Sequence, residues 1–127
     1  MKVLLVDDIA AMRGLIKGFL KLCGYSVVEE AENGKQALLK IESEGDFDLI
    51  VTDLMMPTMN GFELVNLIRR QRRWDELLIL VVSAETRKED VMRAIQEGAD
   101  AFIIKPFSVK TFREKIELLK SKRKGGI

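Results

Sequence analysis

Five short apolar runs punctuate the chain, and each is followed by a stretch with a different rhythm. Lys2–Val6 (KVLLV), Tyr25–Glu30, Leu49–Asp53, Leu77–Ser83 (LLILVVS) and Ala101–Ile104 are nearly continuous and of strand length. After each run, apolar residues recur at i, i+3 and i+4, which places them on one face of a helix. The first such set is Met12, Leu15, Ile16, Phe19, Leu20 and Cys23, and the second is Ala37, Leu38 and Ile41. Leu64, Val65 and Ile68 form the third, Val91, Ala94 and Ile95 the fourth, and Val109, Phe112, Ile116 and Leu119 the last. Asn33 with Gln36, and Asn60 with Glu63, have the spacing of helix N-terminal caps. Gly24 and Gly45 stop two helices, a fourth helix is expected over Arg87–Gly98, and Ser108 starts the last.

The pattern is strand then helix, five times over. That alternation predicts an α/β fold: a single-domain, doubly wound sheet of five parallel strands joined by right-handed crossovers. Continuous rather than alternating strands fit a sheet covered on both faces, and Tyr25–Glu30, the most polar run, belongs nearer an edge. Five strands in this size range favour the flavodoxin-like order 2-1-3-4-5. At 127 residues the chain suits one domain, expected over residues 1–120, with a basic C-terminal tail over 121–127.

Composition narrows the chemistry. A content of 47% hydrophobic and 32% charged residues is that of a globular domain, and a net charge of +1 argues against a chain-wide polyanion-binding surface. Cys23 is the only cysteine, so no intrachain disulfide forms, and its place on an apolar helix face suggests a buried thiol. Histidine is absent, which removes Ser–His–Asp triads, Cys–His dyads and HExxH metal sites. No apolar run reaches membrane-spanning length, and Met1-Lys2 leads straight into a strand, so a cytoplasmic location without membrane association is expected.

Polar residues stand where the apolar runs stop: Asp7 and Asp8 after strand 1, Asp53 after strand 3, Ser83 after strand 4 and Lys105 after strand 5. In the predicted order strands 1 and 3 are neighbours, and ligands of such sheets bind at the carboxyl ends near the switch point. Three carboxylates side by side repel unless a cation intervenes. Mg²⁺ is the natural choice, being a hard ion that accepts carboxylates, waters and phosphate oxygens together. With an ammonium and a hydroxyl nearby, the set describes a site for a metal-bound phosphoryl group.

The motifs VDD at Val6–Asp8, TDLMMPTMNG at Thr52–Gly61, SA at Ser83-Ala84 and KPF at Lys105–Phe107, in this order and each at a strand end, resemble those of response-regulator receiver domains of the CheY-like kind. The resemblance spans Lys2 to about Lys120. It implies that Asp53 accepts a phosphoryl group from a histidine kinase or phosphotransfer protein. It further implies that Asp8, Asp53 and the main-chain carbonyl of Met55 hold Mg²⁺, with Asp7 acting through water. Lys105, Ser83 and the Ala84 amide would contact the phosphoryl group, and the Lys105–Pro106 bond would be cis. Output would follow from Ser83 moving and Phe102 swinging inward, which repacks the face of the fourth helix, fifth strand and fifth helix for a downstream protein. Many relatives carry tyrosine at the Phe102 position, so recognition through that hydroxyl is unavailable here. Met55, two past the acceptor, and Glu85, two past the serine, border the path of a hydrolytic water, and an altered phosphoryl lifetime is expected.

Plainer readings stand beside these. Adjacent acids before a helix also cap it, a strand-end serine is commonly just satisfied, a lone lysine is commonly solvated, and Phe102 alone is core packing as often as a switch. Arg69, Arg70, Arg72 and Arg73 suit a helix carboxyl end, with a solvated face favoured over a docking patch anchored by Trp74. The chain is therefore expected to be a signalling switch rather than an enzyme, with Mg²⁺-dependent self-phosphorylation and autodephosphorylation only, as a monomer or phosphorylation-dependent dimer. An alternative is the receiver portion of a larger transcriptional regulator; no helix-turn-helix follows, so direct nucleic-acid binding is not expected. An aspartate-nucleophile phosphatase of the haloacid-dehalogenase kind is a distant alternative, since it would want an Asp where Met55 stands. A flavin carrier would want a Ser/Thr/Gly phosphate loop where Asp7-Asp8-Ile9-Ala10 stands.

Overall fold

The computed structural model describes residues 2–84 and 87–125, with side-chain surroundings described to residue 122. In chain order the elements are β1 (Lys2–Val6), α1 (Ala10–Leu22), β2 (Val27–Ala31), α2 (Gly34–Glu44), β3 (Leu49–Thr52), α3 (Gly61–Arg69), a 3-10 turn (Arg72–Trp74), β4 (Leu78–Ser83), α4 (Lys88–Glu97), β5 (Ala101–Ile104) and α5 (Val109–Gly125). The strands form one parallel sheet in the order β2-β1-β3-β4-β5. This is the α/β order expected from the alternation of runs.

Alternate residues of each strand serve opposite faces. Leu4, Val6, Ile50, Ile79 and Val81 meet Ala37, Ile41, Leu64, Val65, Ile68 and Ala94 on the side covered by α2, α3 and α4. Val3, Leu5, Val51, Leu80 and Val82 meet Ile16, Leu20, Phe112, Ile116 and Leu119 on the side covered by α1 and α5. Phe112 is fully buried, and enclosure of a side chain that size is worth roughly 2–3 kcal/mol. The edge strand β2 keeps its polar residues paired, Glu29 with Lys40 and Glu30 with Arg13 and Lys17.

Asn33 accepts from the Gln36 amide at 2.9 Å while the Gln36 side chain accepts from Glu32 N at 3.0 Å. Asn60 accepts from Glu63 N at 2.9 Å. Both expected caps are therefore present. Several expectations need correction. The second strand starts at Val27, because Tyr25 turns into the core beneath α5 instead of joining the ladder. Neither Asp7 nor Asp8 caps α1; its N-cap is Ile9, which makes no side-chain cap bond. Leu15 and Ile95 are 47% and 46% exposed, for different reasons. In α1, Ile16 and Leu20 fill the contact with the sheet and Leu15 falls one position outside it. In α4, the small Ala94 makes the close contact and turns Ile95 to the flank. Cys23 is half-buried rather than buried. The helix continues through residue 125, so residues 121–125 of the expected tail are helical, while 126 and 127 lie outside the described residues.

The arginine run also divides. Arg69 donates to Gly98 O, Trp74 O and Asp100 Oδ2 at 3.0, 3.1 and 2.8 Å, so it knits elements together and is not solvated. Arg70, Arg72 and Arg73 are exposed. Trp74 packs on the core edge with the Arg73 guanidinium 4.4 Å from its ring centroid.

Candidate metal and phosphoryl site

Register brings the acids together. Val6 pairs with Thr52, and each is the last residue of its strand, so Asp7 and Asp53 follow side by side at the carboxyl edge. The ladder runs one bond further, from Asp53 N to Val6 O at 3.0 Å and from Asp7 N to Ala31 O at 3.2 Å. Asp7 is 1% and Asp53 8% exposed, while the next residue, Asp8, is exposed at the rim. One carboxylate oxygen from each of the three can be found within 4.8 Å of the others.

Lys105 arrives from the far side of β4. Ser83 pairs with Ile104, Lys105 N donates to Ser83 O at 2.8 Å, and the lysine side chain reaches back across β4. Its Nζ lies 3.2 Å from Asp7 Oδ2 and 3.2 Å from Asp53 Oδ2. The Lys105–Pro106 bond is cis, as the resemblance implied. Phe107 sets the base of this loop, packing edge-on against Phe19 of α1 at 5.7 Å and stacked on Phe112 of α5 at 5.8 Å.

The other oxygens of Asp7 and Asp53 are held by main chain. Asp7 Oδ1 accepts from Ile9 N at 2.9 Å. Asp53 Oδ1 accepts from Leu54 N at 2.7 Å and, at 3.4 Å, from Met55 N. The loop after Asp53 closes through Gly61 N donating to Leu54 O at 2.9 Å. A Cβ on Gly61 would lie 2.3 Å from Asp53 O, so this return requires glycine. Thr58 completes the turn at φ 72°, a costly conformation for a β-branched residue. Outside the acids, a cleft of about 580 Å³ lined by Asp8, Met55, Met56 and Pro57 reaches Arg87 at the start of α4 and Arg93 in its middle.

Three carboxylates face one ammonium. At an effective dielectric near 20, like charges 4–5 Å apart repel by roughly 3–4 kcal/mol, so the site carries an uncompensated excess of negative charge. Hard oxygen donors in such excess suit a hard divalent cation.

Asp7, Asp8, Asp53, Met55, Ser83, Ala84 and Lys105 stand at the carboxyl edge, though not all are equally engaged. Asp7, Asp53 and Lys105 are in direct contact and Asp8 adjoins them. Ser83 is fully buried at the end of β4, Ala84 is exposed beside it, and Met55 is 66% exposed. Phe102 pairs with Val81, on the same face of the sheet as Ser83, and is half-buried against the α2–α4 side. Glu85 lies outside the described residues. One participant was not anticipated: the Arg13 guanidinium, which donates to the main-chain oxygen of Asp7 at 2.6 Å. Its only sequence signal is its position six residues past Asp7 on the polar side of a helix.

Comparison with known proteins gives a consistent result. Residues 3–117 match the family described as response regulator receiver domain. The chemotaxis protein CheY of Pseudomonas aeruginosa is 39% identical over 117 residues, covering 92% of this chain and 94% of the relative. CheY1 of Helicobacter pylori is 39% identical over 119 residues, covering 94% and 96%. Among solved structures, the chemotaxis response regulator CheY4 of Vibrio cholerae superposes with a TM-score of 0.84 at 35% identity, covering 93% of this chain and 97% of that one.

Proposed function

The chain belongs to the response regulator receiver domain family, as a CheY-like receiver of two-component signalling, and we propose that Asp53 is its phosphoryl acceptor in a Mg²⁺-dependent reaction. The observation that carries this reading is the single Nζ of Lys105 standing 3.2 Å from both Asp7 and Asp53, with Asp8 alongside.

Asp8, Asp53 and the Met55 carbonyl would hold the metal, with Asp7 acting through water; bound there, Mg²⁺ would screen the phosphoryl oxygens from the acids. The chain's own groups do the rest. The Leu54 and Met55 amides fix the Asp53 carboxylate through Oδ1, which leaves Oδ2 directed to the Lys105 side. An Asp53 oxygen attacks phosphorus in line and forms an O–P bond. The P–N bond to a donor imidazole breaks with its electron pair leaving on nitrogen, which takes a proton from solvent. The donor imidazole must come from a partner, a histidine kinase or phosphotransfer protein, since this chain has no histidine. Lys105 exchanges carboxylate contacts for the new phosphoryl oxygens, and the Ser83 hydroxyl and Ala84 amide complete the set.

Readout would pass from Ser83 to Phe102 on their shared sheet face. The exposed apolar side chains of Met92, Ile95 and Ile104, 50%, 46% and 44% exposed, give the α4–β5–α5 face the character of a protein-binding surface. The chain is then a switch, acting on its own phosphoryl group and not on an outside substrate. Among the described residues no helix is long and apolar enough to cross a membrane.

The test is labelling with phosphoramidate and Mg²⁺. The wild type takes one phosphoryl group, chelation of Mg²⁺ stops the reaction, and Asp53→Asn reduces labelling below detection. Labelling of Asp53→Asn at the wild-type rate and stoichiometry would overturn the assignment.

A further inference from the structure

Asp8 is the least supported member of the acid set. Among the described residues its carboxylate makes no hydrogen bond or ion pair, whereas Asp7 and Asp53 are held by amides and by Lys105. The Asp8 side chain is therefore placed by its backbone, and the peptide that joins it to Asp7 lies one residue past the end of β1. There the sheet no longer fixes the carbonyl: the Asp7 amide still bonds to Ala31 O, but the Asp7 oxygen lies beyond the last residue of the strand.

That oxygen is taken by Arg13. One guanidinium nitrogen donates to Asp7 O at 2.6 Å, and Nε donates to Glu30 Oε1 at 3.0 Å on β2. The side chain is 13% exposed, well shielded for an arginine. Glu30 is steadied in turn by Lys17 at 3.4 Å. A planar fork with two donors thus spans from the edge strand to the peptide that aims Asp8. Its positive charge also sits behind an acid cluster that is short of cations.

We propose that Arg13 is a positioning residue: braced on Glu30, it pins the Asp7–Asp8 peptide and so presets the Asp8 carboxylate to receive Mg²⁺. The inference rests on the metal-dependent reading above and adds to it a residue that touches neither metal nor phosphoryl group. Groups that orient ligands from behind in this way are typically worth roughly 10- to 100-fold in metal affinity. Lysine cannot replace the fork, because one ammonium at the end of a flexible stem does not hold both acceptors with the same geometry.

The experiment is titration of the full chain with Mg²⁺ alone by isothermal calorimetry, followed by phosphoramidate labelling at limiting and at saturating Mg²⁺. Arg13→Ala is expected to weaken Mg²⁺ binding about 10-fold or more. Its labelling rate should drop at limiting Mg²⁺ and return to within about threefold of wild type at saturation, a split that general loss of structure would not produce. Arg13→Lys should resemble Arg13→Ala. Glu30→Gln, which leaves the arginine but removes its charged brace, should weaken binding about threefold. Lys17→Ala, which touches Glu30 but not the acid loop, should bind Mg²⁺ as the wild type does. The proposal is overturned if folded Arg13→Ala binds Mg²⁺ within twofold of wild type, or if its labelling deficit is equal at both Mg²⁺ levels. Should Arg13→Ala fail to fold, unchanged affinity in Glu30→Gln overturns it equally well. A wild type that binds no Mg²⁺ would instead bring down the metal-dependent reading, and this inference with it.

Discussion

The two ends of the sheet use the same residue types in opposite ways. At the amino ends of β4 and β5, Asp100 accepts from Arg69 at 2.8 Å and from Ile79 N at 2.9 Å, and has Lys122 at 3.3 Å. One carboxylate there meets two cations and an amide. At the carboxyl ends two carboxylates share one ammonium and a third, Asp8, stands beside them. The first arrangement is electrostatically closed and has nothing left to offer. The second is open by more than one positive charge, and that deficit is what a divalent ion or a transferred group can act upon. Stability and chemistry are thereby kept some distance apart, each at its own edge of the same strands.

Substitutions can sharpen or break this contrast. The largest effect should come from the closed end: Asp100→Ala removes the carboxylate partner of Arg69 and leaves the Ile79 amide unpaired, and should cost about 3 kcal/mol in urea unfolding, with Mg²⁺ affinity unchanged. A cost below about 1 kcal/mol would remove the case for a structural knot there. At the open end the sign should reverse. Asp8→Asn deletes a like charge and should raise stability in Mg²⁺-free buffer by about 0.5 kcal/mol. The wild type is expected to gain about 2.7 kcal/mol from Mg²⁺ at 100 times the dissociation constant, and the same change should abolish that gain. If Asp8→Asn is less stable than wild type without metal, the acids are not in net repulsion.

The smallest effect concerns pH and the brace behind the site. Burial by itself raises the Glu30 carboxyl, but the hydrogen bonds and charges of Arg13 and Lys17 outweigh it and hold the group below its ordinary 4.5. A folded-state value below the unfolded one means the contribution is complete above about 4.5 and is lost as pH falls through the folded value. Glu30→Gln should therefore show a shallower loss of stability between pH 5 and pH 3, followed by urea midpoints. The change will be slight, since the Glu30 side chain is 37% exposed and solvent screens it. Parallel acid limbs for the two proteins would count against the brace.

What could be seen in the sequence follows from where the information lies. Strand order, the two helical layers and the residues at each strand end are legible because every apolar run stops at a polar residue, and parallel topology puts all those stops at one edge. Ile95 and Leu15 were misplaced because a repeat of three and four does not say how wide the buried stripe is; Ala94 decided it for α4 by fitting closer than isoleucine can. Arg69 looked like a helix-end charge because its partner Asp100 is 31 residues away and reaches it only across the turn into β5. Arg13 was silent for the same reason, its two acceptors lying on neighbouring strands that the sequence separates. Local periodicity is written in the chain. Long-range pairing of charges becomes visible only once strand neighbours are known.

The loop from Leu54 to Asn60 is gripped at both ends by residues without side chains. A methyl group on Gly61 would strike the Asp53 carbonyl, and one on Gly34 would lie 2.8 Å from Met59 O. Between these grips, Met55, Pro57 and Thr58 stand in solvent. For anyone wishing to retune the rate or partner choice of this receiver, the geometry separates editable text from frame. Residues 55, 57 and 58 can be rewritten within the limits of the turn, while a side chain introduced at 61 displaces Asp53 and Leu54 and one at 34 displaces Met59 at the other end of the loop.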